Sequence, residues 1–359
     1  MASIATDLVK CGLKKGSAWG TAVAVSSGIY LYGRISVSGG DDGYFPADLG
    51  FAGKRLTQTF LRRNLSVTFT ADLAYSQGVM ALVTSVMGTE SSPAEQTASQ
   101  GDYLRNIDLA DSNVGLFWTL AWLNEDDDLC ELSSVKWTGF TIAQEANGVG
   151  TVTVQGVADN LTILAGGAAS SVANITGNTP LTYQSAVLGG TNHYFRINAD
   201  SGAGLSGTDN KPILSYSLSL QRTLDPLFAL RGANTKYSLE PTPLGDIVGN
   251  LTFQLAYIDD SVQDLILDWL NKSTFKAEIF LDGSQIGSGV NTSYKFQMPL
   301  LQPDGPIPSG YDAPAKNQRM QPSLSYAMMK RSAAPTGMTG VTDYLRIVSI
   351  DRRSTKWTA

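Results

Sequence analysis

Two stretches of this chain, 183 positions apart, carry the same apolar pattern, and the segments flanking them match as well. In the first, apolar residues fall at Val79, Leu82, Val83, Val86 and Met87; in the second, at Val262, Leu265, Ile266, Trp269 and Leu270. The spacing i, i+3, i+4, i+7, i+8 puts each set on one stripe of an amphipathic helix. It predicts helices over 77–87 and 260–271. Ser76 and Asp259 stand where an N-cap side chain would accept an unpaired amide, and Gly88 stands where the first helix must stop. Trp269 lies mid-stripe and should pack on a sheet, so Trp269→Ala should cost about 3–5 kcal/mol.

Alternating strands surround each helix. Leu31, Gly33, Ile35 and Val37 match Leu214, Tyr216, Leu218 and Leu220 at the same offset of 183. Gly33 marks a weak point or a close approach. Leu65, Val67 and Phe69 match Leu251, Phe253 and Leu255 at 186. After the helices, Leu116, Trp118, Leu120 and Trp122 match Phe275, Ala277, Ile279 and Leu281 at 159, and Val135 and Trp137 match Tyr294 and Phe296 at that offset. Val152 and Val154 pair with Leu324 and Tyr326. The fold class read from this is mainly β: two tandem, similar β domains, 1–165 and 166–359, each with one packed helix. Gly166–Ser171 reads as the linker, and the second domain carries a C-terminal tail.

The first two strands of each half are joined by long connections, Gly39–Arg63 and Thr223–Gly249, where a hairpin needs only ~2–5 residues. Loops of this length at one place in two repeats point to a shared task. The halves differ mainly in insertions, at Thr89–Val114 and Gln302–Pro322. A short strand is also expected at His193–Ile197.

The chemistry is sparse. The 359 residues are 43% hydrophobic and 16% charged, with 36 Gly and 14 Pro, and the formal net charge is −6. That balance argues against a binder that gains affinity by neutralising phosphates. His193 is the one histidine, and on an alternating strand beside Tyr194 and Phe195 it reads as structural, not as the base of a triad. Cys11 and Cys130 are far apart and read as two reduced thiols. With one His and two Cys no zinc set forms. Glu125, Asp126, Asp127, Asp128 and Glu131 lack calcium-loop spacing and read as a solvated hairpin turn. Lys14–Lys15 and Arg62–Arg63 are too short for a nucleic-acid footprint. No catalytic, cofactor-binding or metal residue is assigned. No run approaches the ~18 apolar residues of a membrane span, and Met1–Lys15 has no signal-peptide core.

The segment Gly16-Ser17-Ala18-Trp19-Gly20-Thr21-Ala22, with the order strand, long loop, strand, helix, strands, resembles two-domain phage tail tube proteins, the major tail proteins of long-tailed siphophages. The resemblance implies a small β-sandwich or split barrel in each domain. It implies homotrimeric rings of pseudo-sixfold symmetry that stack into a hollow tube in the virion tail, after synthesis in the host cytoplasm. DNA would pass through the lumen without specific binding, and tape measure, tail terminator and distal tail proteins would be partners. An acidic chain suits such a conduit if its lumen is negative. The other reading is a tail-tip or adhesin-type virion protein that binds a receptor or carbohydrate, with Trp118, Trp122 and Trp137 as a sugar platform.

Overall fold

Alternation dominates the chain, and strands follow from it. The computed structural model describes residues 9–44, 59–75, 78–123, 128–164, 193–225, 227–228, 238–308 and 320–358. In the first half these form β1 (Val9–Lys15), β2 (Ile29–Tyr44), β3 (Thr59–Asp72), α1 (Val79–Met87), β4 (Gly88–Glu90), β5 (Ala94–Glu95), β6 (Tyr103–Leu109), β7 (Trp118–Leu123), β8 (Leu129–Glu145), β9 (Thr151–Ala158) and β10 (Leu161–Leu164). The second half forms β11 (Tyr194–Ala199), β12 (Ile213–Asp225), β13 (Thr242–Leu255), α2 (Asp260–Leu270), β14 (Phe275–Gly287), β15 (Val290–Pro303), β16 (Ser323–Met328) and β17 (Arg346–Asp351). The protein is mainly β, as its alternation predicts.

Strands β1, β2, β3, β9, β8 and β7 pair in that order, and β7 returns to β1, which closes a six-stranded barrel. Inward residues fill it, among them Leu31, Val67, Phe69, Trp137, Phe140 and Val154. Gly33 is a true close approach: a Cβ there would lie 2.5 Å from the Phe69 ring. In the second half the neighbour order β12–β13–β16–β15–β14–β11 is the same. Here the ring narrows to a seam, where an Arg196–Asn210 bridge and a Lys211 N–H to Phe195 carbonyl bond of 2.9 Å join β11 to the segment before β12.

The ladder registers correct two of the sequence matches. Val37 opposes Val67 and Leu220 opposes Gly249, so with β2 and β12 matched at 183, Val67 corresponds to Gly249, an offset of 182 and not 186. Phe140 opposes Val154 and Pro303 opposes Tyr326, which moves the β8–β15 match from 159 to 163. Both errors are four residues. An even slip leaves every side chain on its own face, so alternation cannot detect it.

The long connections are in part paired strand. Gly39–Tyr44 and Thr59–Arg63 are paired strand, the arms of an extended hairpin, and so are Thr223–Asp225 with Thr242–Gly249. Runs of Gly and Asp mimic loop chemistry, but Gly39 takes φ 101 and the ladder continues. Residues 45–58, 229–237 and 309–319, the linker at 166–171, and Ser76 lie outside the described residues. The Thr89–Val114 insertion contains β5 and β6, and β6 pairs with β17 from the far end of the chain.

The two helices differ. All nine residues of α1 are buried, so it is not an amphipathic surface helix. Its sequence, VMALVTSVM, carries no charge, and a helix apolar on every side belongs in a core. The Thr84 and Ser85 hydroxyls donate back to the Met80 and Ala81 carbonyls at 2.6 and 2.7 Å, the usual way a helix accommodates buried hydroxyls. Its N-cap is Gly78 without a side-chain bond, and Gly88 closes it at φ 98. By contrast, α2 buries only Val262, Leu265, Ile266 and Trp269. Trp269 is 2% exposed and donates its indole N–H to the Ser325 carbonyl at 3.0 Å.

Asp259 caps α2 as expected, accepting the Val262 N–H at 2.9 Å. That bond, then the Ser261 hydroxyl, hold its carboxyl below the ordinary 3.8. A lowered folded pKa gives stability that is full above the unfolded value and lost as pH falls through the folded one. Asp259→Ala should therefore melt lower than wild type at neutral pH. The difference should vanish in strong acid; a gap that persists there would assign the effect to something other than the charged cap.

Candidate functional site

The side chains flagged for chemistry do not converge. His193 immediately precedes β11, with its Nε2 2.9 Å from the Asp282 carbonyl oxygen. It lines a cavity of about 700 Å³ at the β11–β12 seam with Gln144, Tyr194, Tyr216 and Tyr257. Tyr216 donates to the Gln144 side chain at 3.3 Å, and burial pushes its hydroxyl pKa up. Tyr194 donates to Glu278 at 2.7 Å. Both phenols are therefore held neutral as donors.

Cys11 and Cys130 are buried, and neither forms a disulfide. Burial pushes the Cys11 thiol up to about 12, which makes it inert. Among the described residues no group of three His, Cys, Asp or Glu could hold a metal ion. Of the acidic cluster, Glu125–Asp127 lie outside the described residues and Glu131 is buried. Trp118 and Trp137 are fully buried and Trp122 half-buried, so they form no exposed sugar platform. Lys15 is used structurally, donating to the Thr358 carbonyl at 2.9 Å.

What the chain builds instead is a joint between its halves. Residues Gly139–Glu145 of β8 pair antiparallel with Ser215–Gln221 of β12, so one half's sheet continues into the other's. On the far side β17 bridges β15 and β6. Buried cations lock the joint. Arg222 of β12 reaches the C-terminal end of α1, donating to the Val86 and Met87 carbonyls at 2.6 and 2.9 Å and also to those of Ala110 and Asp111. A cation at this end of a helix meets the negative pole of its dipole and its unpaired carbonyls. Burial lowers its pKa to about 10, which leaves it charged at neutral pH. Lys136 of β8 pairs with Glu240 at 2.6 Å, and Glu240 also accepts the Gly115 N–H at 2.7 Å.

The third cation is Arg105 on β6. It bridges Glu90 at 3.0 Å and Asp351 at 2.7 Å with its side chain fully buried. It also donates to the Thr355 and Arg353 carbonyls, and Glu90 accepts the Trp357 N–H. The C-terminal segment is thereby fixed to the first half's insertion. The Gly16–Ala22 segment has a matching role. Gly16 N–H donates to the Phe117 carbonyl at 2.9 Å, Trp19 meets the Phe117 ring edge-on at 5.5 Å, and its indole donates to Ser238 at 3.0 Å. That serine precedes β13, so the segment ties the N-terminal region to the second hairpin.

Sequence reasoning missed these cations, though a signal existed. Leu218, Leu220 and Arg222 share one face of β12, as do Arg105, Ile107 and Leu109 on β6. A basic residue in an apolar row predicts a buried, paired cation.

Two surfaces remain open. Beyond Gly33, no described strand pairs with the outer edge of β2. Leu227, Leu244 and Val248, on or beside the β12–β13 hairpin arms, are 55%, 57% and 54% exposed. No family model matches this chain, and no curated protein matches it significantly. Among the described residues, no helix is long and apolar enough to cross a membrane.

Proposed function

We propose that this protein is a structural subunit of a phage tail tube. Two tandem copies of one β-barrel unit, 1–165 and 166–359, make each chain, and three chains close a pseudo-sixfold ring. Rings stack into the hollow tube of the virion tail and conduct DNA, with a tape measure and tail-end proteins as partners. The role is mechanical and uses no cofactor.

The observation that carries this reading is the β8–β12 pairing. Within one chain, the edge of one unit's sheet takes the first long strand of the next. The counterpart of β12 is β2, whose outer edge past Gly33 has no described partner. A head-to-tail contact made once inside the chain and left open at its start is what a closed ring of heterologous contacts needs. The sheet β2–β3–β9–β8–β12–β13–β16–β15 gives eight strands per chain. Three chains make about 24, and at about 4.8 Å per strand the backbone wall is at least about 37 Å across. That admits a nucleic-acid duplex. Exposed leucine and valine on the hairpin arms suit burial against the next ring.

The ring contact can be tested by cross-linking. The internal pair Gln221–Gly139 has Ser38 and Gln302 as its counterparts under the offsets of 183 and 163. A Ser38→Cys, Gln302→Cys double variant should oxidise to covalent trimers, and each single variant should not. Failure to cross-link in concentrated protein would remove this edge from the ring.

A further inference from the structure

The eight-strand sheet has one face on the cores and one face turned away from them. The register fixes what the second face displays. From β3 to β16, one row across the strands reads Thr70, Thr153, Thr141, Ser219, Asn250, Ala327. Gln302 of β15 extends it at one end and Arg34 of β2 at the other. The adjacent row runs Thr151, Ala143, Ser217, Thr252, Ser325, with Asp72 at its margin. Hydroxyls pair across strands, Thr70 with Thr153 and Thr252 with Ser325, each at 3.2 Å.

Among the described residues, charge on this face is sparse. Arg34 stands in the first row, within β2, and Asp72 stands at the margin of the second. Glu145 lies at the end of β8, Asp246 lies on the hairpin arm, and Lys136 is covered by its pair with Glu240. No aromatic ring stands in either row. The acidity of the chain lies elsewhere, for example in the exposed Asp260, Asp264 and Asp268 of α2. The two rows therefore carry no excess of the negative charge that the overall composition suggests.

Resting on the tube reading, we propose that this hydroxyl and amide face is the lumen wall, a neutral, hydrated surface along which a nucleic-acid duplex slides without adhering. Adhesion to a duplex draws on cations that displace its counterions, and single strands are held by aromatic stacking. These two rows supply one cation per chain, Arg34, offset by Asp72, and no aromatic ring. A strongly negative wall would instead repel phosphate and make passage depend on ionic strength. A neutral wall removes both effects, and passage becomes insensitive to salt.

The test uses assembled tubes and a fluorescent linear duplex. Tubes of the wild type should retain no duplex on pelleting, at low or high salt. Thr141→Lys with Ser219→Lys places two cations side by side on the wall, since these residues are cross-strand partners. Those tubes should retain at least tenfold more duplex at low salt and release it at high salt. Salt-sensitive retention by the wild type, or none by the lysine variant, would overturn the neutral wall. Ser219→Cys gives an independent reading, because Cys11 and Cys130 are buried. In tubes it should react with a small maleimide and be shielded from a bulky polymer-linked one, while free subunits react with both. Full reaction with the bulky reagent would place the face outside and overturn this proposal while leaving the tube intact. Absence of rings or tubes in every preparation would overturn the tube reading, and the wall with it.

Discussion

Arg105→Met should destabilise the protein by more than about 5 kcal/mol, the largest effect expected of any single substitution here. Breaking one buried ion pair costs about 3–5 kcal/mol because the partner charge is left uncompensated, and Arg105 serves two carboxylates, Glu90 and Asp351. The loss also frees the Thr355 and Arg353 carbonyls. Set against a typical total of about 5–15 kcal/mol, the variant should be largely unfolded or insoluble at 37 °C. Burial already raises the Asp351 pKa, although Arg105 opposes the shift. Without Arg105 that rise grows. A carboxyl with a raised folded pKa gives stability that is lost as pH rises through that value, so the variant should be more stable in mild acid than at neutral pH. Adding Glu90→Gln and Asp351→Asn should restore part of the loss, because no orphan charge remains. Chemical denaturation of the three proteins decides this. An Arg105→Met protein that melts within a few degrees of wild type would mean the C-terminal segment is not held as described.

The second large effect is on assembly. Gly40 and Asn64 face each other across the first hairpin, so a two-residue turn in place of residues 41–63 preserves the register below it. This deletion should leave soluble subunits and single rings, and abolish tubes. The proposed ring contact uses the β2 edge below Gly39, which the deletion spares, whereas the proposed stacking contact uses the hairpins. The second hairpin carries exposed Leu227, Leu244 and Val248, and is proposed to join the same contact. Electron microscopy of the deletion settles the point. Tubes of normal length would make the hairpin dispensable and place stacking elsewhere.

Much of this architecture is written locally in the sequence. Helix periodicity located α1 and α2 to within two residues, and Asp259 was readable as a cap because its partner is three residues away. Strand faces were readable from alternation, but registers were not, since a slip of four residues preserves every face. The hairpin arms were hidden by Gly39, Gly40 and Gly43, which signal turns in sequence yet sit in ladder positions. The clasp between the halves was the least legible part. Arg222 finds Val86 across 136 positions and Arg105 finds Asp351 across 246, and several of the acceptors are backbone carbonyls, which any residue supplies. The hydroxyl and amide row needed both the faces and the register, because only the ladder shows that Thr141, Ser219 and Asn250 stand together.

The central claim is that this chain closes into rings that stack into a tube. Negative-stain electron microscopy of the concentrated, purified protein, with the mass of the smallest ring measured in parallel, tests it most directly. The account predicts rings of three chains with sixfold-looking outlines and an open centre, together with stacks of such rings. A preparation that stays monomeric at every concentration, or assembles without a central channel, would contradict it.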